Sequence, residues 1–147
     1  MSVFLLLKNN AGKITETSVP VGAAQVVETS LAVDTSTASA VFVDLLTLSI
    51  TITGSALLLL ATVSVTNTNP SVVSFAITVD GTQYVGAATS FTAASQNRCA
   101  ALMVKVTGLA AGSRSVKLRW KRTAGTISIN PATAPDDQHA ALTAMEV

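Results

Sequence analysis

Apolar and polar side chains alternate with a period of two through most of this chain, the mark of half-buried β-strands. The pattern is cleanest between Leu102 and Arg122, where Val116, Leu118 and Trp120 share one parity and Lys117, Arg119 and Lys121 the other. Burying such a face contributes about 1.5–3 kcal/mol per large side chain, and only if a second apolar layer lies opposite. The upstream segments supply that layer. Val41 to Thr53 forms one strand and closes at Gly54-Ser55; Leu57, Leu59, Ala61, Val63 and Val65 line the inward parity of the next, which turns at Asn67-Thr-Asn-Pro70. Val73, Phe75, Ile77 and Val79 alternate up to Asp80-Gly81, a two-residue hairpin signal because both central positions of such a turn favour positive φ. Gln83 to Val85 reads as the return strand, Phe91 as part of a further short one, and Ala100 to Val106 as the strand before the central stretch. Beyond Gly125 come Thr126 to Ile129, a loop from Asn130 to His139, and a closing strand from Ala140 to Val147.

About eight strands after residue 40, with no amphipathic helix, predict an all-β fold: an antiparallel β-sandwich of jelly-roll type over residues 39–147. Residues 1–38 differ. Val3 to Leu7 and Lys13 to Val19 read as a short hairpin around Asn9-Asn10-Ala11-Gly12, Gln25 to Val33 as a weak segment, and Asp34 to Ala40 as a connector rich in small polar residues. This N-terminal appendage holds too little apolar bulk for its own core. It is expected to lie on the main domain or on a partner, with Phe4 and Leu6 as contact residues.

Composition sharpens the picture. Charged residues make up 12% of the 147, the hydrophobic fraction is 49%, mean hydropathy is +0.54 and the net charge is +1. A monomer with so few charges has little with which to cover its surface, so the chain either sits in a membrane or buries surface against other chains. No charge occurs between Asp44 and Asp80, yet Thr, Ser, Asn, Gly and Pro interrupt that span. Its densest apolar run, Leu57 to Ala61, is far short of the roughly 20 residues of a spanning helix. Buried protein surface is the better account, and no membrane partner is expected. The N-terminal apolar run precedes its first positive charge, Lys8, the reverse of a secretory signal. Cys99 stands alone, which excludes an internal disulfide; it is expected as a small buried thiol of a β-rich core.

Chemistry is sparse. His139 is the one histidine, and it lies in a loop beside Asp136 and Asp137 outside any nucleophile signature or strong metal-ligand pattern. The eight acidic residues show no pair marked for glycoside cleavage. The chain is expected not to be an enzyme, and no cofactor or metal is assigned. Charge is unevenly placed: no acid lies between Asp80 and Asp136, while Arg98, Lys105, Arg114, Lys117, Arg119, Lys121 and Arg122 supply seven of the nine positive charges. Lys117, Arg119 and Lys121 are the candidate partner contacts; the plainer alternative is that they solvate one strand face. Nucleic acid is disfavoured, because the few aromatics fall on inward parities instead of interleaving with the basic residues for stacking.

The run V-K-V-T-G-L-A-A-G-S-R-S-V-K-L-R-W-K from Val104 to Lys121, with Gly125-Thr126 and the terminal Leu142-Thr-Ala-Met-Glu-Val, resembles the C-terminal region of many tailed-phage virion proteins. Those are similar to the trimeric jelly rolls of the tumour necrosis factor and complement-type superfamily. Arg114 stands where the pattern usually has His, which removes any role of that histidine. The resemblance covers residues 57–147 and implies a homotrimer on the capsid exterior of a virion, made in the host cytoplasm. In that setting the chain would be a decoration (cement) protein bound to the major capsid protein of the same virion. A tail-fibre or head-fibre tip, or a tail-associated adhesin, that binds host surface glycan is the alternative.

Overall fold

A computed structural model describes the backbone of residues 2–8 and 14–20, and residues 25–130 and 138–147 with their side chains. It is all β among the described residues. The strands are β1 (Ser2–Lys8), β2 (Ile14–Pro20), β3 (Val26–Ser30), β4 (Thr35–Thr37), β5 (Val43–Ile52), β6 (Ala56–Asn67), β7 (Ser71–Val79), β8 (Thr82–Phe91), β9 (Asn97–Thr107), β10 (Gly112–Arg122), β11 (Ile127–Ile129) and β12 (Ala140–Glu146).

β1 and β2 form an antiparallel hairpin of their own, with Leu5 opposite Thr17. The rest is a two-layer sandwich. One sheet runs β5-β10-β7-β8. In the other, β9 flanks β6 on one side; on the other side β12 and then β11 pair with successive parts of β6, and β3 and β4 pair with β12 and β11. The late strands β10 and β12 thus lie between β5 and β7 and between β3 and β6, and consecutive strands cross repeatedly between layers, the wiring of a jelly roll. The expected fold class holds.

Between the layers, the inward parities meet as the alternation requires. Leu46, Leu48, Ile50, Val73, Phe75, Ile77, Val116, Leu118 and Trp120 of one sheet face Leu57, Leu59, Val63, Val65, Leu102 and Leu142 of the other, all buried. Trp120 lies opposite Phe75 in the β10–β7 ladder, placing the two largest buried side chains on adjacent strands. The Asp80-Gly81 turn forms as expected, with φ of 49° and 86°.

Three expectations change. Gln83 to Val85 and the segment around Phe91 are one continuous strand, β8, because the ladder to β7 continues from Thr82 to Phe91 past a bulge. The weak segment and the connector carry β3 and β4: ladder hydrogen bonds to β12 and β11 hold a stretch whose own apolar content is slight, and Val27 and Leu31 add packing on the core. The second sheet therefore recruits residues upstream of 39. Cys99 is exposed instead of buried. On β9 the inward positions are Ala100, Leu102, Val104 and Val106, so Cys99 falls on the outer parity, opposite Ser64.

Candidate interaction surfaces

The basic side chains of β10 stand on the outer face of the first sheet, where a bulge supplies them with an anion. The β10–β5 register slips between Leu118 and Arg119, so that Leu118 faces Leu46 while Arg119 faces Asp44. Leu45 is the extra residue. In a regular strand Asp44 would share the inward parity of Leu46; with Leu45 bulged the carboxylate emerges outside. There Lys117 Nζ lies 2.5 Å and Arg119 Nε 3.0 Å from the two Asp44 oxygens. Both pairs are partly exposed, and the Lys117 hydrogen bond foremost holds the Asp44 carboxyl below its ordinary range. Arg119 also donates to the Phe42 carbonyl at 2.7 Å, and Lys121 Nζ sits 4.7 Å from the Phe42 ring centroid. The stripe is thus a set of cations braced on the start of β5. Beside it lies a shallow, open depression of about 320 Å³ lined by Phe42, Ser74, Gln83, Gly86, Ala88 and Lys121.

Arg114, the residue in the place of the pattern's histidine, has a bracing role of its own. It pairs with Asp80 at 2.9 Å and donates to the Ala110 carbonyl at 3.1 Å, joining the β7–β8 turn to the β9–β10 connection. The Ser115 backbone N–H, first among the causes, and then Arg114 hold the Asp80 carboxyl below its ordinary range.

The outer face of the second sheet is different in kind. The register aligns Lys105, Leu58, Met145 and Val26 in one row across β9, β6, β12 and β3, and Met103, Leu60, Thr143 and Glu28 in the next. Ala101, Thr62, Ala141 and Ser30 form the third. Met103 is 68% exposed and Val26 58%. Aliphatic and small hydroxyl side chains cover this face, and its charges in these rows are Lys105 and Glu28.

Of the residues singled out from sequence, Lys117, Arg119 and Lys121 come together; the side chains of Phe4 and Leu6, and all of Asp136 and Asp137, lie outside the described residues. His139 is exposed, and its carbonyl accepts the Ser64 N–H at 2.8 Å. Its neighbour Gln138 is buried and links Asn130 to β9, accepting from the Asn130 N–H at 3.0 Å and donating to the Asn97 side chain at 2.9 Å. No group of three or more His, Cys, Asp or Glu side chains converges among the described residues, and no helix among them is long and apolar enough to cross a membrane.

These features define the class as a jelly-roll β-sandwich with two dissimilar outer faces. No protein-family model matches the chain, and no curated protein matches it. Solved structures do share the fold. A chain of the T13 particle of infectious bursal disease virus is similar at a TM-score of 0.51 and 14% identity, over 91% of this chain and 37% of that one. The Gt strain of the same virus gives 0.52 and 14%, over 91% and 38%. Its VP2 subviral particle gives 0.51 and 12%, over 99% and 42%. The chain spans about two fifths of the length of these viral chains.

Proposed function

We propose that the chain is a non-enzymatic structural protein of a virion: a homotrimer that decorates and cements the assembled capsid. The observation that carries this reading is the apolar outer face of the β9-β6-β12-β3 layer. Exposed Met103 and Val26 beside Leu58, Leu60 and Met145 form a patch of the kind that marks an interface in a chain with too few charges to be wet on all sides. The fold likeness to chains of a virus particle, and the phage-like run from Val104 to Lys121, support the virion setting. The other outer face, with Lys117, Arg119 and Lys121, would be left for the major capsid protein, and the N-terminal hairpin with Phe4 and Leu6 for a neighbouring capsid subunit. A protein that binds assembled capsid and not free subunits lowers the free energy of the assembled state by mass action. Removing it from particles and heating them should lower their disruption temperature, with recovery on adding it back; unchanged particle stability would remove the cement role.

The depression beside Phe42 favours a second reading, a fibre-tip or adhesin module for host surface glycan. An aromatic ring flanked by Lys121, Gln83 and Ser74 offers a stacking surface with polar groups at its rim. Host-cell binding by the isolated protein that disappears on Phe42→Ala would establish it, and binding indifferent to that change would exclude this depression.

A further inference from the structure

The two charges on the apolar face of the second sheet stand at its opposite sides. Lys105 belongs to β9, the outermost strand on one side, and Glu28 to β3, the outermost on the other. Three strand spacings, about 14 Å, separate them across the sheet, and one same-face row, about 7 Å, along it. Leu58, Leu60, Thr143 and Met145 fill the rows between. Among the described residues neither charge takes part in an ion pair: the salt bridges join Arg114 to Asp80 and Lys117 and Arg119 to Asp44. Lys105 differs in this from Arg114, Lys117 and Arg119, each of which stands against a carboxylate.

We infer that this face binds a second copy of the chain, with Glu28 of one copy set against Lys105 of the next. The inference rests on the self-association proposed above and specifies its geometry. With one positive and one negative side, each copy can set its β3 side against the β9 side of the next, a head-to-tail contact that closes as a ring of three around the apolar rows, whereas like sides set against each other would leave two equal charges over an apolar surface. Its extent suits the purpose. Four strands at about 4.8 Å spacing and about eight residues at about 3.3 Å rise make a face of roughly 500 Å² per copy. Three such faces turned to one axis cover roughly 1,500 Å² in all, within the range of a specific interface. The aliphatic rows provide the affinity, and the charge pair at the rim fixes which sides meet.

Charge reversal in the full chain tests this by sedimentation velocity at low salt, with circular dichroism confirming the fold of each variant. Glu28→Lys and Lys105→Glu should each weaken association at least tenfold, and the two together should restore it to within about twofold of the parent. The milder Glu28→Gln and Lys105→Met keep the test available if a reversal does not fold, and each should weaken association severalfold. Single variants that associate as tightly as the parent would overturn the charge pairing while leaving self-association in place. A parent chain that is monomeric at every concentration would overturn both. If in that case Cys99, which lies on the same face, were protected from a thiol reagent only on particles, the face would belong to the capsid.

Discussion

The closing strand ends in a carboxylate whose work is structural. Glu146 falls on the inward parity of β12 and is buried, and its Oε1 accepts the Gly54 N–H, the Thr53 N–H at 2.7 Å and the Thr53 hydroxyl at 2.9 Å. It caps the turn between β5 and β6 from the far end of the chain. The Gly54 N–H above all holds its carboxyl below the ordinary 4.5. A carboxyl depressed on folding contributes stability that is complete above its unfolded value and disappears as pH falls through the folded one. Asp44 and Asp80, lowered from 3.8, act with the same sign further into acid. Thermal melts between pH 7 and pH 2 should therefore show an acid decline that is shallower in Glu146→Gln than in the parent; parallel declines would deny Glu146 this role. At Trp120 packing decides instead. It is the largest fully buried side chain, and Trp120→Ala should cost about 3–5 kcal/mol in urea unfolding. Alternation alone marks Trp120 as core, but the terminal Glu146 is legible only as an acid near a strand end, because its partners are 92 and 93 residues away.

At the scale of the elements, turns show how far local chemistry carries. Gly81 and Gly125 both have positive φ, at 86° and 70°. A Cβ on Gly81 would meet nothing within 4 Å, whereas on Gly125 it would come within 2.8 Å of the Asn69 Cβ and 2.9 Å of its Oδ1. Gly81→Ala should thus cost only the left-handed backbone term, about 1–2 kcal/mol. Gly125→Ala should cost more, since Asn69 must also move; equal losses in urea melts would show that Asn69 yields freely. The Asp80-Gly81 turn and the long strands are legible because residue type and period fix them locally. Bulges are not. Nothing in the order of Val43, Asp44, Leu45 and Leu46 announces the extra residue that turns Asp44 outward, since it exists only against the register of β10. β3 and β4 escape for the same reason: their place is set by β12 and β11, which come more than a hundred residues later in the case of β3.

For the molecule as a whole, the four leucines from Leu57 to Leu60 hold the clue to the outer face. An unbroken apolar run within a strand means that both parities meet apolar surroundings. Leu57 and Leu59 find theirs in the core, and Leu58 and Leu60 face outward among Met145, Met103 and Thr143. Sequence can show that Leu58 and Leu60 need a cover. That Met103, Met145 and Val26 enlarge the patch depends on pairings between distant strands. If copies of the chain cover one another there, unfolding and dissociation are linked, and the melting temperature must rise with protein concentration. Across a hundredfold range the shift should be about 5 °C or more for a domain of this size. Met103→Glu places a charge on the exposed face without touching the core. It should remove the concentration dependence and leave the melting temperature of the dilute protein nearly unchanged, because the monomer loses no buried contact. A melting temperature of the parent that is independent of concentration would leave this face uncovered by its own kind and would shift the explanation of the sparse charge to a different partner.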